Sequence, residues 1–199
     1  MEIDQLTGAV LRNIFVELEA SGRHVHVTHR QAEILFGHGL TPKRPLSQPG
    51  QYLSNERVTV IGPKGEFRNV AVLGPERPEA QVEVSLTDSR SFGLTPPIKL
   101  SGDIAGSPGA TLVGPCGRVT LDKGVIVARR HIHMTPESAA HFGVKDKQVV
   151  RLQTYTARPL VFDDVVVRVS DQFDTFVHLD YDEANACGFQ PGDLGRILP

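Results

Sequence analysis

The sequence predicts a mainly β protein with short helices, built as two tandem, pseudo-repeated β-barrel domains. Three observations predict it. Gly (19) and Pro (14) are abundant, aromatic residues make up 6% and Trp is absent, a composition suited to many short strands joined by tight turns. Apolar residues alternate, or run as β-branched stretches, between Gly-Pro pairs. The run Arg23-His24-Val25-His26-Val27-Thr28 returns as Arg130-His131-Ile132-His133-Met134-Thr135, so the chain is written twice.

Taken in order, Met1 to Ala20 sets Ile3, Leu6, Val10, Ile14 and Leu18 at spacings of three and four, which predicts an amphipathic helix ended by Ser21-Gly22. Such a helix either packs on the host domain or serves as a docking peptide. The first His-X-His strand feeds a short helix: Thr28 is its N-cap, Gln31 completes a capping box and Gly37 is the stop. The second copy repeats this with Thr135, Pro136 at the first helical position and Gly143. Strands are expected at Arg57 to Ile61, Glu66 to Leu73 and Gln81 to Leu86, and again at Gln148 to Gln153, Leu160 to Ser170 and Thr175 to Leu179. The turn-rich stretch Ile98 to Gly109 reads as the connection between halves. The expected division is 1–21 for the N-terminal helix, 22–105 for the first repeat and 106–199 for the second, with strand exchange between them left open.

A second alignment sets Val82-Glu83-Val84, followed by a short helix ending at Phe92-Gly93, against Val177-His178-Leu179, followed by one ending at Cys187-Gly188. It pairs Glu83 with His178. Side chains two apart share one face of a strand, so each half offers three ligands: His24, His26 and Glu83 in one, His131, His133 and His178 in the other. Imidazole and carboxylate suit zinc and its first-row neighbours. Three protein ligands with an open position is the catalytic pattern. Arg77 precedes Glu83 by six residues, where a guanidinium suits a two-pronged grip on phosphate or carboxylate and equally a surface salt bridge. His29, His38 and His141 lack the strand spacing and read as solvated or capping residues. Cys116 and Cys187 read as ordinary small residues rather than nucleophiles.

A net charge of −2 with 40% hydrophobic and 22% charged residues argues against nucleic acid as a partner. No apolar run approaches the roughly 20 residues of a membrane span, and the N-terminus lacks the basic flank of a secretion signal. Two isolated cysteines suit a reducing cytoplasm.

The runs Arg23 to Thr28, Leu46-Ser47-Gln48-Pro49-Gly50-Gln51, Val60 to Gly65, Val72-Leu73-Gly74-Pro75, Gln81-Val82-Glu83, Ser101-Gly102-Asp103 and Arg130 to Met134 resemble those of the PduL-type phosphotransacylases, also called phosphate propanoyltransferases. The likeness runs from about Arg23 to Gly188. It departs at Gly22, where an asparagine is usual, at Cys116, often a lysine, and at Glu76 and Pro78 beside the arginine. The resemblance implies an acyltransferase that exchanges the coenzyme A of a short-chain acyl-CoA, propanoyl-CoA or similar, for phosphate, giving an acyl phosphate. It implies two zinc ions at a site between the barrels, one held by His24, His26 and Glu83 and the other by His131, His133 and His178, with Arg77 in the place of an essential catalytic arginine. It further implies work inside a bacterial microcompartment, with residues 1–20 as an encapsulation peptide that meets shell or core proteins; self-association stays open. The residues alone also accommodate a dinuclear metal-dependent hydrolase or a metal-stapled module without catalysis.

Overall fold

The structure, a computed structural model, describes residue 11 and residues 13–198. In chain order its elements begin with β1 (Val16–Ser21), β2 (His24–His26), α1 (His29–Phe36), β3 (Pro42–Pro45), β4 (Tyr52–Ile61), β5 (Glu66–Gly74) and β6 (Gln81–Val84). There follow α2 (Leu86–Phe92), β7 (Ile98–Lys99), β8 (Thr111–Val113), β9 (Arg118–Thr120), β10 (Val125–Ala128) and β11 (His131–Met134). The chain ends with α3 (Pro136–Phe142), β12 (Val149–Tyr155), β13 (Val161–Val169), β14 (Phe176–Asp180), α4 (Tyr181–Cys187) and β15 (Leu194–Leu198). The protein is mainly β with short helices, in two barrel-like units.

One unit is a closed barrel in the order β1-β14-β11-β13-β12-β15, with β15 returning to β1. Its interior is filled by Val16, Leu18, Ile132, Met134, Leu152, Val165, Val167, Val177 and Leu179. Burying each such side chain stabilises the fold by about 1.5–3 kcal/mol. Closure is tight at Gly195, where a Cβ would lie 2.9 Å from Leu18 Cδ2.

The other unit, Gly22–Ala128, is a curled sheet in the order β7-β10-β6-β2-β5-β4-β8-β9, with β3 on β4. Its core gathers Val25, Val27, Leu35, Val58, Val72, Val82, Phe92, Leu112 and Val127.

The helices begin and end where the sequence signals. Thr28 caps α1 with a full capping box and Gly37 closes it in the left-handed conformation. Thr135 caps α3, with Pro136 at its start and Gly143 at its end. Ser85 caps α2 and Asp180 caps α4.

Two expectations are corrected. Residues 1–10 and 12 of the expected N-terminal helix lie outside the described residues, but Val16–Ser21 is strand β1, not helix, and it pairs in parallel with β14. The reason is a period of two: Val16 and Leu18 are each 2% exposed while Glu17 between them faces water. Ile14, which shared the expected helical stripe, is 45% exposed. The second concerns residues 106–128, expected in the second repeat. Here β8 pairs with β4 and β10 with β6, so this stretch completes the curled sheet. The Ile98 to Gly109 stretch lies inside the same unit, with β7 on β10 and Ser107 Oγ accepting from Gly124 N at 2.8 Å.

The pairing also defines an exchange. The strand that precedes each His-X-His joins the sheet of the other copy: β1 precedes β2 but pairs with β14, and β10 precedes β11 but pairs with β6. We predict that Leu18→Ala lowers stability by about 2–5 kcal/mol in urea unfolding. Ile14→Ala should stay within about 0.5 kcal/mol, whereas a packed amphipathic helix would make both costly.

Candidate metal centres

The first triad is set by two neighbouring strands. His24 and His26 stand two apart on β2, with Val25 between them turned into the core and fully buried. Glu83 on β6 is the direct antiparallel partner of His24. His24 Nδ1 lies 2.8 Å from the Gly22 carbonyl oxygen and His26 Nδ1 lies 3.3 Å from that of Leu73. A carbonyl only accepts, so both Nδ1 atoms carry protons, and in the neutral ring each Nε2 keeps a lone pair for a metal. The partner of His24 is a main-chain oxygen, so glycine at position 22 leaves this contact intact.

In the metal-free chain, burial disfavours charge on His24. The Glu83 carboxylate, by charge and hydrogen bond, and the Gly22 carbonyl outweigh that, and the His24 pKa is raised. Burial, then the neighbouring His24 and Arg77 charges, push His26 well below its ordinary value. Burial would raise the Glu83 carboxyl, but His24 above all holds it far below the usual carboxylate range. A proton on His24 thus occupies the place a divalent cation would take.

Behind this triad runs a chain of hydrogen bonds. Gln81 Nε2 donates to Glu83 Oε1 at 2.5 Å and to Ser101 Oγ at 2.9 Å. Gly102 N donates to Gln81 Oε1 at 2.8 Å, which fixes which way the amide faces. Arg77 Nη1 donates to the same Ser101 Oγ at 3.1 Å. Arg77 follows the Gly74-Pro75 bend, where a Cβ on Gly74 would sit 2.2 Å from Tyr52 Cζ, and its N–H donates to the Val27 carbonyl at 2.9 Å. Glu76 beside it turns to the Leu40 N–H at 2.9 Å.

The second triad repeats the strand register. His131 and His133 share a face of β11 around the buried Ile132, and His178 on β14 is the antiparallel partner of His131. His131 Nδ1 lies 2.8 Å from the Arg129 carbonyl oxygen, the counterpart of His24 on Gly22. His133 Nδ1 and His178 Nε2 are 3.1 Å apart, and His178 Nδ1 is 3.4 Å from Glu19 Oε2. The ring of His133 stacks on Phe173 at 4.1 Å.

The arginines before each His-X-His are also matched. Arg23 binds Asp88 of α2 at 3.0 Å and lies over Phe67, and Arg130 binds Glu183 of α4 at 2.7 Å and faces Phe162. Each ties the helix after the third-ligand strand to the start of the His-X-His strand, which is a structural duty.

The donor sets fit a metal. Within each triad the ligand atoms lie within 4.8 Å of one another. Two donors on one zinc at 2.0–2.2 Å stand about 3.3–3.6 Å apart. His24 Nε2 and Glu83 Oε2 are 3.6 Å apart, and the His133–His178 pair is at 3.1 Å. These two triads are the metal-compatible groups among the described residues. His29 pairs with Glu33 and Glu76, His38 contacts the Gly39 carbonyl and His141 that of Asn13, all three exposed. Cys187 is buried, and burial pushes its thiol up; Cys116 is exposed.

Fold and site together define a duplicated β protein with two imidazole-rich, metal-compatible triads, the first hydrogen-bonded through Gln81 and Ser101 to Arg77. The family model for phosphate propanoyltransferase matches residues 17–190. The chain is 52% identical to the phosphate propanoyltransferase of Clostridioides difficile (strain 630), over 98% of this chain and 95% of that protein. It is 55% identical to that of Enterococcus faecalis (strain ATCC 700802 / V583), over 92% and 87%, and 50% identical to that of Thermotoga maritima, over 89% and 86%. The chain belongs to the phosphate propanoyltransferase family, and it is an enzyme of the transferase class. No helix among the described residues is long and apolar enough to cross a membrane.

Gln81 and Ser101 stand in the motifs quoted above, and their residue types alone do not mark them as part of the site. The available signal was that Gln81 sits two residues before Glu83, on the same strand face.

The His24–Glu83 pairing generates a prediction for the metal-free chain. His24 should titrate above 6.5 and His26 below it, and Glu83→Gln should bring His24 below 6.5, as read from imidazole NMR signals. The raised His24 stabilises the fold fully below pH 6.5 and loses that contribution as pH rises through its folded pKa. The depressed Glu83 stabilises above its ordinary 4.5 and loses that as pH falls. The stability lost in Glu83→Gln should therefore be largest between these two values and shrink at higher pH.

Proposed function

We propose that the chain is a phosphate acyltransferase that moves a short-chain acyl group, propanoyl or similar, between coenzyme A and phosphate. A phosphate oxygen bonds to the thioester carbonyl carbon, the carbon–sulfur bond breaks, and coenzyme A leaves as thiolate while acyl phosphate forms. The observation that supports this reading is the hydrogen-bonded chain Arg77–Ser101–Gln81–Glu83, which couples a guanidinium suited to phosphate to a carboxylate of the first triad.

In this reading His24, His26 and Glu83 hold one metal ion, and His131, His133 and His178 hold another, both zinc. Bound there, the metals would supply Lewis-acid stabilisation for charge that develops on sulfur or oxygen. Arg77 acts as the catalytic cation: its planar guanidinium grips two phosphate oxygens and orients the third toward the carbonyl carbon. Ser101 fixes one guanidinium nitrogen, so the grip is preorganised rather than formed on collision. The imidazoles of His24, His26 and His131 present an unprotonated Nε2 to a metal because their Nδ1 atoms donate to carbonyl oxygens. The family resemblance also supports a bacterial microcompartment as the setting, with the segment ahead of β1 as the recruitment peptide.

The test is release of free thiol from propanoyl-CoA with and without phosphate. Thiol release should require phosphate, Arg77→Ala should lower turnover at least about 10²-fold, and His131→Ala should do likewise. Thiol release without phosphate would indicate a hydrolase. Near-wild-type rates in both variants would overturn the assignment of these residues.

A further inference from the structure

The exchange of strands sets one side chain beside the third ligand of each triad. On β1 that side chain is Glu19, in parallel register with His178. On β10 it is Ile126, in parallel register with Glu83. Each stands five residues before the first histidine of the motif that follows it, so the two are equivalent positions of the repeat. Their chemistry is complementary to the ligand they face. Where the ligand is a carboxylate, the neighbour is a fully buried isoleucine. Where the ligand is an imidazole, the neighbour is a carboxylate, with Glu19 Oε2 3.4 Å from His178 Nδ1. An acid at position 126 would crowd two carboxylates, which is unfavourable, so the arrangement gives each triad one carboxylate.

We propose that Glu19 is a positioning residue of the second triad, accepting the Nδ1 proton of His178 so that Nε2 faces the metal. The inference rests on the metal reading of that triad. His178 Nε2 already lies on the triad side, 3.1 Å from His133 Nδ1. His131 has its Nδ1 proton fixed by a main-chain carbonyl, whereas His178 is fixed by a charged group, which makes its ring a stronger donor. Glu19 also brings to the second site the negative charge that Glu83 brings to the first as a direct ligand.

The experiment is competitive zinc titration against a chromophoric chelator, with the full chain reduced to one triad at a time. In a His24→Ala background, which keeps the second triad, Glu19→Gln should weaken zinc binding about 10- to 100-fold, and Glu19→Ala at least as much. In a His131→Ala background, which keeps the first, Glu19→Gln should leave zinc affinity within about twofold, as expected for a separate site. Unfolding of the metal-free chains checks that each variant is folded. Failure of the wild-type chain to take up zinc would overturn the metal reading and this inference with it. Zinc bound in the His24→Ala chain with an affinity unmoved by Glu19→Gln would overturn the inference alone. Equal weakening in both backgrounds would assign Glu19 to the fold rather than to His178, and would overturn it too.

Discussion

The antiparallel register between each His-X-His strand and its third-ligand strand is the constraint on which the rest depends. His24 stands opposite Glu83, and His131 opposite His178. Because side chains alternate faces, the same register that gathers three candidate ligands sends Val25 and Val82 to the core of one unit, and Ile132 and Val177 to the core of the other. A slip of one residue would turn the histidines into the core and the aliphatics outward. The apolar cost of such a slip, summed over residues worth about 1.5–3 kcal/mol each, protects the ligand geometry. Core and site therefore specify each other.

The exchanged strands follow from how little chain lies between them and the motif. Only Gly22 and Arg23 separate β1 from β2, and only Arg129 and Arg130 separate β10 from β11. Both exchanged strands lie parallel to the third-ligand strand, on the edge opposite His-X-His. Each third ligand is thus flanked on both sides by strands, with His24 or His131 across one ladder and Ile126 or Glu19 across the other. Its side chain has few places to go: Glu83 accepts from Gln81, and His178 faces Glu19.

Much of this was legible in the sequence. The duplicated motif, the pairing of Glu83 with His178, the caps Thr28 and Thr135 and the stops Gly37 and Gly143 are local signals, and local signals survive folding. What escaped was non-local. Val16–Ser21 carries both a three-to-four spacing with upstream residues and an alternation of its own, and only the available partner edge on β14 decides between them. Residues 106–128 lie closer in sequence to the second motif, yet their hydrogen bonds go to β4 and β6. Sequence position says nothing of which open edge a strand will fill. The contacts of Gln81, Ser101 and Glu19 depend on these pairings and were hidden with them.

The two triads share a scaffold but not their surroundings. At the first, Gln81 stands opposite His26 and passes hydrogen bonds from Glu83 through Ser101 to Arg77. At the second, the position opposite His133 is Phe176, and Phe173 stacks on the His133 ring. An amide that donates and accepts can relay orientation to a cation, whereas an aromatic ring holds an imidazole by its face. At that strand position the first triad has an amide and the second an aromatic ring, while Arg168 stands across the other ladder from His133 and over the Phe173 ring. The hydrogen-bonded chain to Arg77, more than the exchange of Glu83 for His178, gives physical grounds for the proposed phosphate grip at the first triad.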